Sequence, residues 1–361
     1  MSITHVETSL YRLPLPFAMQ DSMHGVMTHS EFVVVRLRDE DGVEGVGYTY
    51  ALNSGKGIAA LIDGELGPFL QGRDADLIEA LWKDMWWHVH YAGRGGSASF
   101  AISAIDIALW DLKARKLGVP LWRLLGGHDA DVHAYAGSIN FNFSIPELID
   151  QNRQLVDSGF HAVKMRVGKD TLREDIERVG AVRKEIGPDV HLMVDANMKW
   201  SAEEAIRRSR ALAAHDVYWL EEPTIPDDVA GHARIVAEGL TPVAAGENLH
   251  TIYEFQKFMA ANAVSFVEPD VTNCGGITPW MKVAHLAEAY NLPITSHGVH
   301  DLHVHLLAAI PNANYLEIHG FGVEPYVEVP LPIVNGMARA PERPGHSVDF
   351  IWDKLEPHRL G

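Results

Sequence analysis

The chain has 361 residues, enough to bury a large core and to form two domains. Forty-eight acids against thirty bases give a net charge of −18, and the isoelectric point is near 5.5; this excludes a nucleic-acid surface or a polybasic membrane contact and means that any acidic ligand requires a local cluster of cations. A single cysteine, Cys274, excludes an intramolecular disulfide, the opening residues lack the apolar core of a signal peptide, and no stretch approaches a membrane span, so a cytoplasmic setting is expected.

Strand-like runs from Glu31 to Arg38 and from Val43 to Tyr50 flank Asp39-Glu-Asp-Gly42 and predict a hairpin. Ile102, Ile105, Leu109 and Leu112 lie at helical spacing within 97–117, and Gly118 and Pro120 stop that helix. From Val132 onward apolar strand candidates alternate with amphipathic helices, one of them opening on the capping box Ser201-Ala-Glu-Glu204. Strand starts near 132, 161, 190, 217, 242, 264, 292 and 314 predict an α/β parallel barrel. The pattern breaks after Glu317, and a tail extended around Val327 to Val329 and Phe350 to Trp352 is expected to pack back on the N-terminal region. The expected division is an α+β region at 1–125, a barrel at 126–322 and a C-terminal segment at 323–361.

Asp195, Glu221, Glu247, Asp270 and His297 each follow a short apolar run, at intervals of 26, 26, 23 and 27 residues. One charged group per strand-helix repeat, at the carboxyl end of a buried strand, is how such a barrel builds a site on its top face. Asp195, Glu221 and Glu247 end successive strands, so their oxygens converge. Three anions that close need a hard dication, and all-oxygen ligation suits Mg²⁺ better than Zn²⁺.

On the strand Ala162-Val-Lys-Met-Arg-Val167, period-two alternation sends Val163, Met165 and Val167 outward and Lys164 and Arg166 inward. Two cations inside a barrel must face anions, such as a bound carboxylate. Asp270 and His297 form a candidate dyad in which the carboxylate fixes the imidazole tautomer and raises its basicity. Glu317, on the last strand, either orients a substrate carboxylate in protonated form or closes a salt bridge. The cluster His297, His300, His303 and His305 invites a zinc reading, but on a helix His303 and His305 point to different faces. There is no phosphate-binding loop, dinucleotide turn or nucleophile elbow.

Together with these residues, Ala104-Ile-Asp-Ile-Ala-Leu-Trp-Asp111, Leu124-Leu-Gly-Gly127, Lys164-Met-Arg166, Val194-Asp-Ala-Asn197, Glu221-Glu-Pro223, Gly246-Glu-Asn248, Pro269-Asp270, Gly275-Gly-Ile-Thr278 and Ser296-His297 make the chain resemble the mandelate racemase subgroup of the enolase superfamily over nearly its whole length. The resemblance implies an α+β capping domain over a modified (β/α)7β barrel, Mg²⁺ on Asp195, Glu221 and Glu247, and proton abstraction next to a carboxylate. It also implies a homo-oligomer. Many members carry a second lysine where this chain has Arg166. Deprotonating an ordinary guanidinium at pH 7 costs about 7.5 kcal/mol or more, against about 4.6 for a lysine, so Arg166 is a poor base and instead holds a carboxylate or a departing hydroxyl.

Racemisation needs a base on each face, whereas β-elimination of water needs only one base and an acid that is the same His. Dehydration of a sugar acid or aldaric acid to a 2-keto-3-deoxy acid is therefore expected, with Lys164, Arg166, Asp270, His297 and Glu317 as catalytic groups. The alternatives are a racemase or epimerase of a 2-hydroxy acid and a non-catalytic protein that binds an acidic metabolite. The resemblance places lid loops over the far end of the substrate, and Ser22, His24, His29, Tyr50, Asn53 and Asn197 are the candidate contacts there.

Overall fold

The computed structural model describes residues 2–319 and 322–360. Its first sheet has the order β13 (Arg359–Leu360), β1 (Ile3–Gln20), β2 (Val26–Asp39), β3 (Glu44–Ala51), all antiparallel. β2 and β3 form the expected hairpin, but the partner on the other side of β2 is the long β1, which the sequence reading left unassigned. The lid loop expected to carry Ser22, His24 and His29 is correspondingly the far end of the β1–β2 hairpin, with Gln20 opposite Val26. Asp21 closes that turn by accepting from the amides of Met23 and His24 at 2.8 and 2.6 Å, the side-chain mimic of a backbone turn.

The helix Ser97–Leu117 lies across β3 and ends at left-handed Gly118, as its pattern predicts. It sits close because Gly45 and Gly47 have no side chain: a methyl group on Gly47 would overlap the Ala104 carbonyl oxygen. At the end of the helix, buried Asp111 accepts from the amides of Val46 and His346 at 2.9 and 3.0 Å and from Arg115, joining β3, the helix and the C-terminal segment.

The second sheet runs β11 (Ile333–Val334), β12 (Met337–Arg339), β4 (Asp131–Gly137), β5 (Ala162–Arg166), β6 (His191–Asp195), β7 (Val217–Glu221), β8 (Val243–Ala245), β9 (Phe266–Val267), and β10 (Leu316–Ile318) pairs in parallel with β4. β4 to β9 are parallel, with helices between them. Val163, Met165 and Val167 pack against those helices, and Lys164 and Arg166 are buried on the opposite face, as alternation requires.

The strand expected near 292 is reduced to isolated parallel bridges from Ile294 to Val267 and to Ala313. Pro293, which has no N–H, precedes it. Amides of Ile294, Thr295 and Ser296 nevertheless donate to Asn312, Val267 and Tyr315 at 2.8, 2.9 and 3.1 Å. The capping box also forms only in part: Ser201 accepts from the Glu204 amide, but the Glu204 carboxylate turns to Arg207 and Arg208. In the C-terminal segment β13 extends the first sheet, while β11 and β12 form a hairpin on β4. Among the described residues no helix is long and apolar enough to cross a membrane.

The substitution Gly47→Ala should lower stability by about 1–3 kcal/mol, the usual penalty for forcing extra volume into a packed interior. Urea unfolding of the two proteins measures it, and equal midpoints would contradict this account of the helix-on-strand contact.

Candidate active site

Strand register delivers the acids. Arg166 stands beside Asp195, and Asp195 beside Glu221, at the ends of β5, β6 and β7. With Glu247, two residues beyond β8, they bring carboxylate oxygens within 4.8 Å of one another. Each acid is held by a neighbour: Asp195 accepts from the Asn197 amide at 2.7 Å, Glu221 from the Trp219 indole at 3.0 Å and Glu247 from the Asn248 side-chain amide at 3.4 Å. Burial pushes the Glu247 carboxyl upward and nearby His297 opposes that rise. Buried oxygens from three carboxylates, with no nitrogen or sulfur among them, fit a hard divalent cation such as Mg²⁺.

Both inward cations face these acids. Lys164 Nζ lies 2.5 Å from Glu221, 2.7 Å from Glu317 and 3.9 Å from Asp195. Burial alone would lower its pKa, but Glu221 and Glu317 raise it above the ordinary lysine value, so it is an ammonium group. Arg166 Nη1 contacts Asp195 Oδ2. Glu317 also accepts from the Gly298 amide at 2.8 Å; despite burial, Lys164 and His297 hold its pKa below the usual range. The protonated form considered for Glu317 is therefore replaced by the salt bridge.

Asp270 and His297 meet as expected, with Nδ1 2.9 Å from Oδ2. Oδ1 of Asp270 accepts from the amide and hydroxyl of Thr272 at 2.7 and 2.6 Å. Oδ2 accepts also from the Tyr50 hydroxyl at 2.9 Å. Burial disfavours the charged imidazole, but Glu247, Asp270 and Glu317 outweigh it and move His297 up to about 10. Its Nε2 is 3.2 Å from Glu247. The imidazole is thus oriented by Asp270 on one nitrogen and turned toward the acid cluster on the other.

The candidate lid residues divide. His24, Tyr50 and Asn197 line an inner cavity of about 190 Å³ that also touches Arg166, Glu247 and His297. His24 is bound to Asp21 at 2.8 Å. His29 and Asn53, 3.3 Å apart, line an outer cavity of about 520 Å³ that shares Met27, Leu52 and Phe100 with the inner one. Ser22 lines neither and instead donates to the Ala196 carbonyl at 2.7 Å, docking the hairpin tip on the loop after β6. Tyr50 faces the cavity but spends its hydroxyl on Asp270.

Sequence reasoning missed Glu222 and His319. Glu222 is buried with a left-handed backbone (φ 39°), both its oxygens accept from Asn248, and burial beside Glu247 drives its carboxyl well up. His319 lines the inner cavity and is kept neutral by burial, at about 3. The doublet Glu221-Glu222 was the only signal for the first; the second carried none.

The N-terminal part holds the site's loops in place. Thr49 donates to the Thr272 carbonyl, Trp82 to that of Gly275, and Asp106 accepts from the amide and hydroxyl of Thr278. Burial raises Asp106 to about 7.

Two family models match the chain: the mandelate racemase / muconate lactonizing enzyme N-terminal domain over residues 3–126 and the enolase C-terminal domain-like family over 147–354. The chain belongs to the enolase superfamily, in its mandelate racemase branch. It has that superfamily's arrangement of an N-terminal capping domain and a C-terminal TIM-type barrel. A 3,6-anhydro-alpha-L-galactonate cycloisomerase from Streptomyces coelicolor is 50% identical over 354 residues, 98% of each chain. A crystal structure of a racemase from Streptomyces coelicolor with bound magnesium superimposes with a TM-score of 0.97 at 48% identity, covering 99% of this chain and 100% of that one. An L-talarate dehydratase from Polaromonas, complexed with Mg and L-glucarate, gives 0.94 at 34% identity, covering 100% and 98%. The relatives thus include both dehydratases and a cycloisomerase.

Removing the Tyr50 hydroxyl by Tyr50→Phe should cost about 1.5–3 kcal/mol, the range for a hydrogen bond to a charged group. Chemical denaturation reads it; an unchanged unfolding free energy would mean the phenol gives Asp270 nothing.

Proposed function

We propose that this protein removes the proton α to the carboxylate of a sugar acid and expels the oxygen on the β-carbon, giving a 2-keto-3-deoxy acid. The observation that carries this reading is the His297 imidazole, oriented by Asp270 and turned toward the acid cluster, in a site whose inward cations are a locked ammonium, Lys164, and a guanidinium, Arg166. Asp195, Glu221 and Glu247 would hold Mg²⁺, which when bound offsets the negative charge that grows on the substrate carboxylate. Arg166, which lines the inner cavity, binds that carboxylate, and Lys164, held by Glu221 and Glu317, adds positive charge beneath it. Glu247 is the largest of the charges that keep the imidazole protonated; with that carboxylate committed to Mg²⁺, His297 Nε2 would be bare and would take the α-proton while Asp270 keeps Nδ1 protonated and the ring in place. As the carbon–oxygen bond at the β-position breaks, the electron pair left on the α-carbon forms the α,β double bond of an enol, and His297 returns its proton to the departing oxygen. The enol then tautomerises to the keto acid.

The substrate we propose first is a 3,6-anhydro aldonate, in which the β-oxygen is the ring ether, so elimination opens the ring without loss of water. The similarity to the Streptomyces cycloisomerase supports it. So does the lining of the two cavities, where Arg166 is the only Lys or Arg among the described residues and Met27, Leu52, Phe100 and Ile139 supply apolar surface. The second carboxylate of an aldaric acid would meet no such cation at the far end, which disfavours diacids. Dehydration of an open-chain aldonate uses the same residues and is the second reading, favoured by the likeness to the talarate dehydratase. We further read the second sheet as a closed (β/α)7β barrel, because the amide bonds of 294–296 carry the ladder from β9 to β10, and set the domain boundaries at 1–125, 126–322 and 323–361.

Incubation with 3,6-anhydro-L-galactonate, open-chain L-galactonate and galactarate tests the reading by product mass. The expected result is a keto acid isomeric with the anhydro substrate; products lighter by one water from the open-chain acids alone would favour dehydration, and recovered substrate inverted at the α-carbon without keto acid would favour racemisation. His297→Asn should lower turnover by about 10³-fold or more while substrate still binds, since a general base contributes roughly 10²–10⁴. Chelation of divalent ions should abolish turnover and added Mg²⁺ restore it; activity that persists in chelator would contradict the role given to the three acids.

A further inference from the structure

The helix His300–Leu307 begins three residues after His297 and carries His303, which the reaction above does not use. His303 is fully buried, and both ring nitrogens are engaged. The Val271 amide donates to Nε2 at 3.0 Å, and Nδ1 lies 2.8 Å from the Gly298 carbonyl oxygen. An amide only donates and a carbonyl only accepts, so Nε2 is bare, Nδ1 carries the proton and the ring is neutral. Burial favours the same state by lowering the pKa.

Val271 follows Asp270 and Gly298 follows His297. His303 therefore bridges the backbone one residue beyond each member of the pair. The Gly298–Val299 turn has a reason to need such a tie: Val299 is β-branched yet has φ 31° and ψ 53°, a left-handed conformation that persists only where surroundings enforce it. The enforcing contacts are His303 on the Gly298 carbonyl and Glu317 on the Gly298 amide. Trp280 packs beside the His303 ring, with centroids 6.0 Å apart, and donates to the Pro269 carbonyl at 2.9 Å, so the Asp270 side of the bridge is braced as well.

We propose that His303 is a positioning residue that sets the separation and aim of the Asp270 and His297 side chains by tying their two strand ends together. The proposal rests on the reading of His297 as base. It is not a zinc ligand, because both nitrogens are committed to backbone groups. An amide side chain can replace one arm of the bridge, Asn toward Gly298 or Gln toward Val271, whereas Leu replaces neither.

The test compares native protein with His303→Leu, His303→Asn and His303→Gln by steady-state kinetics, Mg²⁺ binding, and the downfield NMR resonance of the His297 Nδ1 proton shared with Asp270. The Leu variant should lose about 10–100-fold in kcat, the scale expected for a small misplacement of a reacting group. Its KM and Mg²⁺ affinity should stay within about twofold, its His297 resonance should shift or vanish, and Asn or Gln should recover part of the loss. An unchanged resonance and kcat in the Leu variant would overturn the proposal, as would parallel loss of kcat, KM and Mg²⁺ binding in every variant, which marks a purely structural residue. If the Leu variant does not fold, the Asn and Gln variants decide by the same kcat and KM split. The resonance is read without substrate, so a native protein that turns over nothing refutes the base assignment and leaves the bridge separately testable.

Discussion

Burying three carboxylates around one point is the constraint on which the rest of the site depends. Each is deprived of water, and each raises the cost of ionising the others. The strand register makes the crowding unavoidable, because Asp195 and Glu221 are neighbours on adjacent strands and Glu247 follows just beyond the next. Positive charge has to be supplied at the same level. Lys164 and Arg166, side by side on one strand face with Arg166 level with Asp195, supply part of it. Three acids against two cations leave an excess of negative charge at the mouth of the barrel, where a divalent ion offsets it and also presents positive charge to an acidic ligand. A chain of net charge −18 thereby offers an anion a local positive site.

The imidazole is held by a different set of parts. Asp270 accepts from His297, Tyr50 and Thr272, so its charge is distributed over groups from both domains. The capping domain therefore does more than cover the cavity. Thr49, Trp82, Ser103 and Asp106 fasten the loop 272–278, and Tyr50 reaches the Asp270–His297 pair itself. The β1–β2 hairpin, anchored at its tip by Ser22, contributes Asp21, His24 and Met27 to the wall of the inner cavity. Displacement of the cap would at once remove that wall and loosen the Asp270–His297 pair.

The charged strand ends were legible because a parallel barrel repeats one unit, and period-two alternation fixes which face Lys164 and Arg166 take. The pairing of Asp270 with His297 followed from the same repeat. Glu222 was not legible: alternation turns the neighbour of Glu221 away, and only its positive φ brings the carboxylate back to Asn248. The Tyr50 bond to Asp270 spans 220 residues and two domains, with no local pattern to announce it. The charge of Glu317 depended on how closely Lys164 approaches, which sequence cannot give. The first strand escaped because Ile3–Gln20 mixes buried and exposed positions without clean alternation.

The central claim is that Asp195, Glu221 and Glu247 share one divalent ion in front of His297. A crystal grown with Mn²⁺ and measured for anomalous scattering tests it most directly. The account predicts one peak per chain within coordination distance of all three carboxylates, and its weakening or loss in Glu221→Gln crystals grown the same way. A peak elsewhere, or none at full Mn²⁺ saturation, would contradict it.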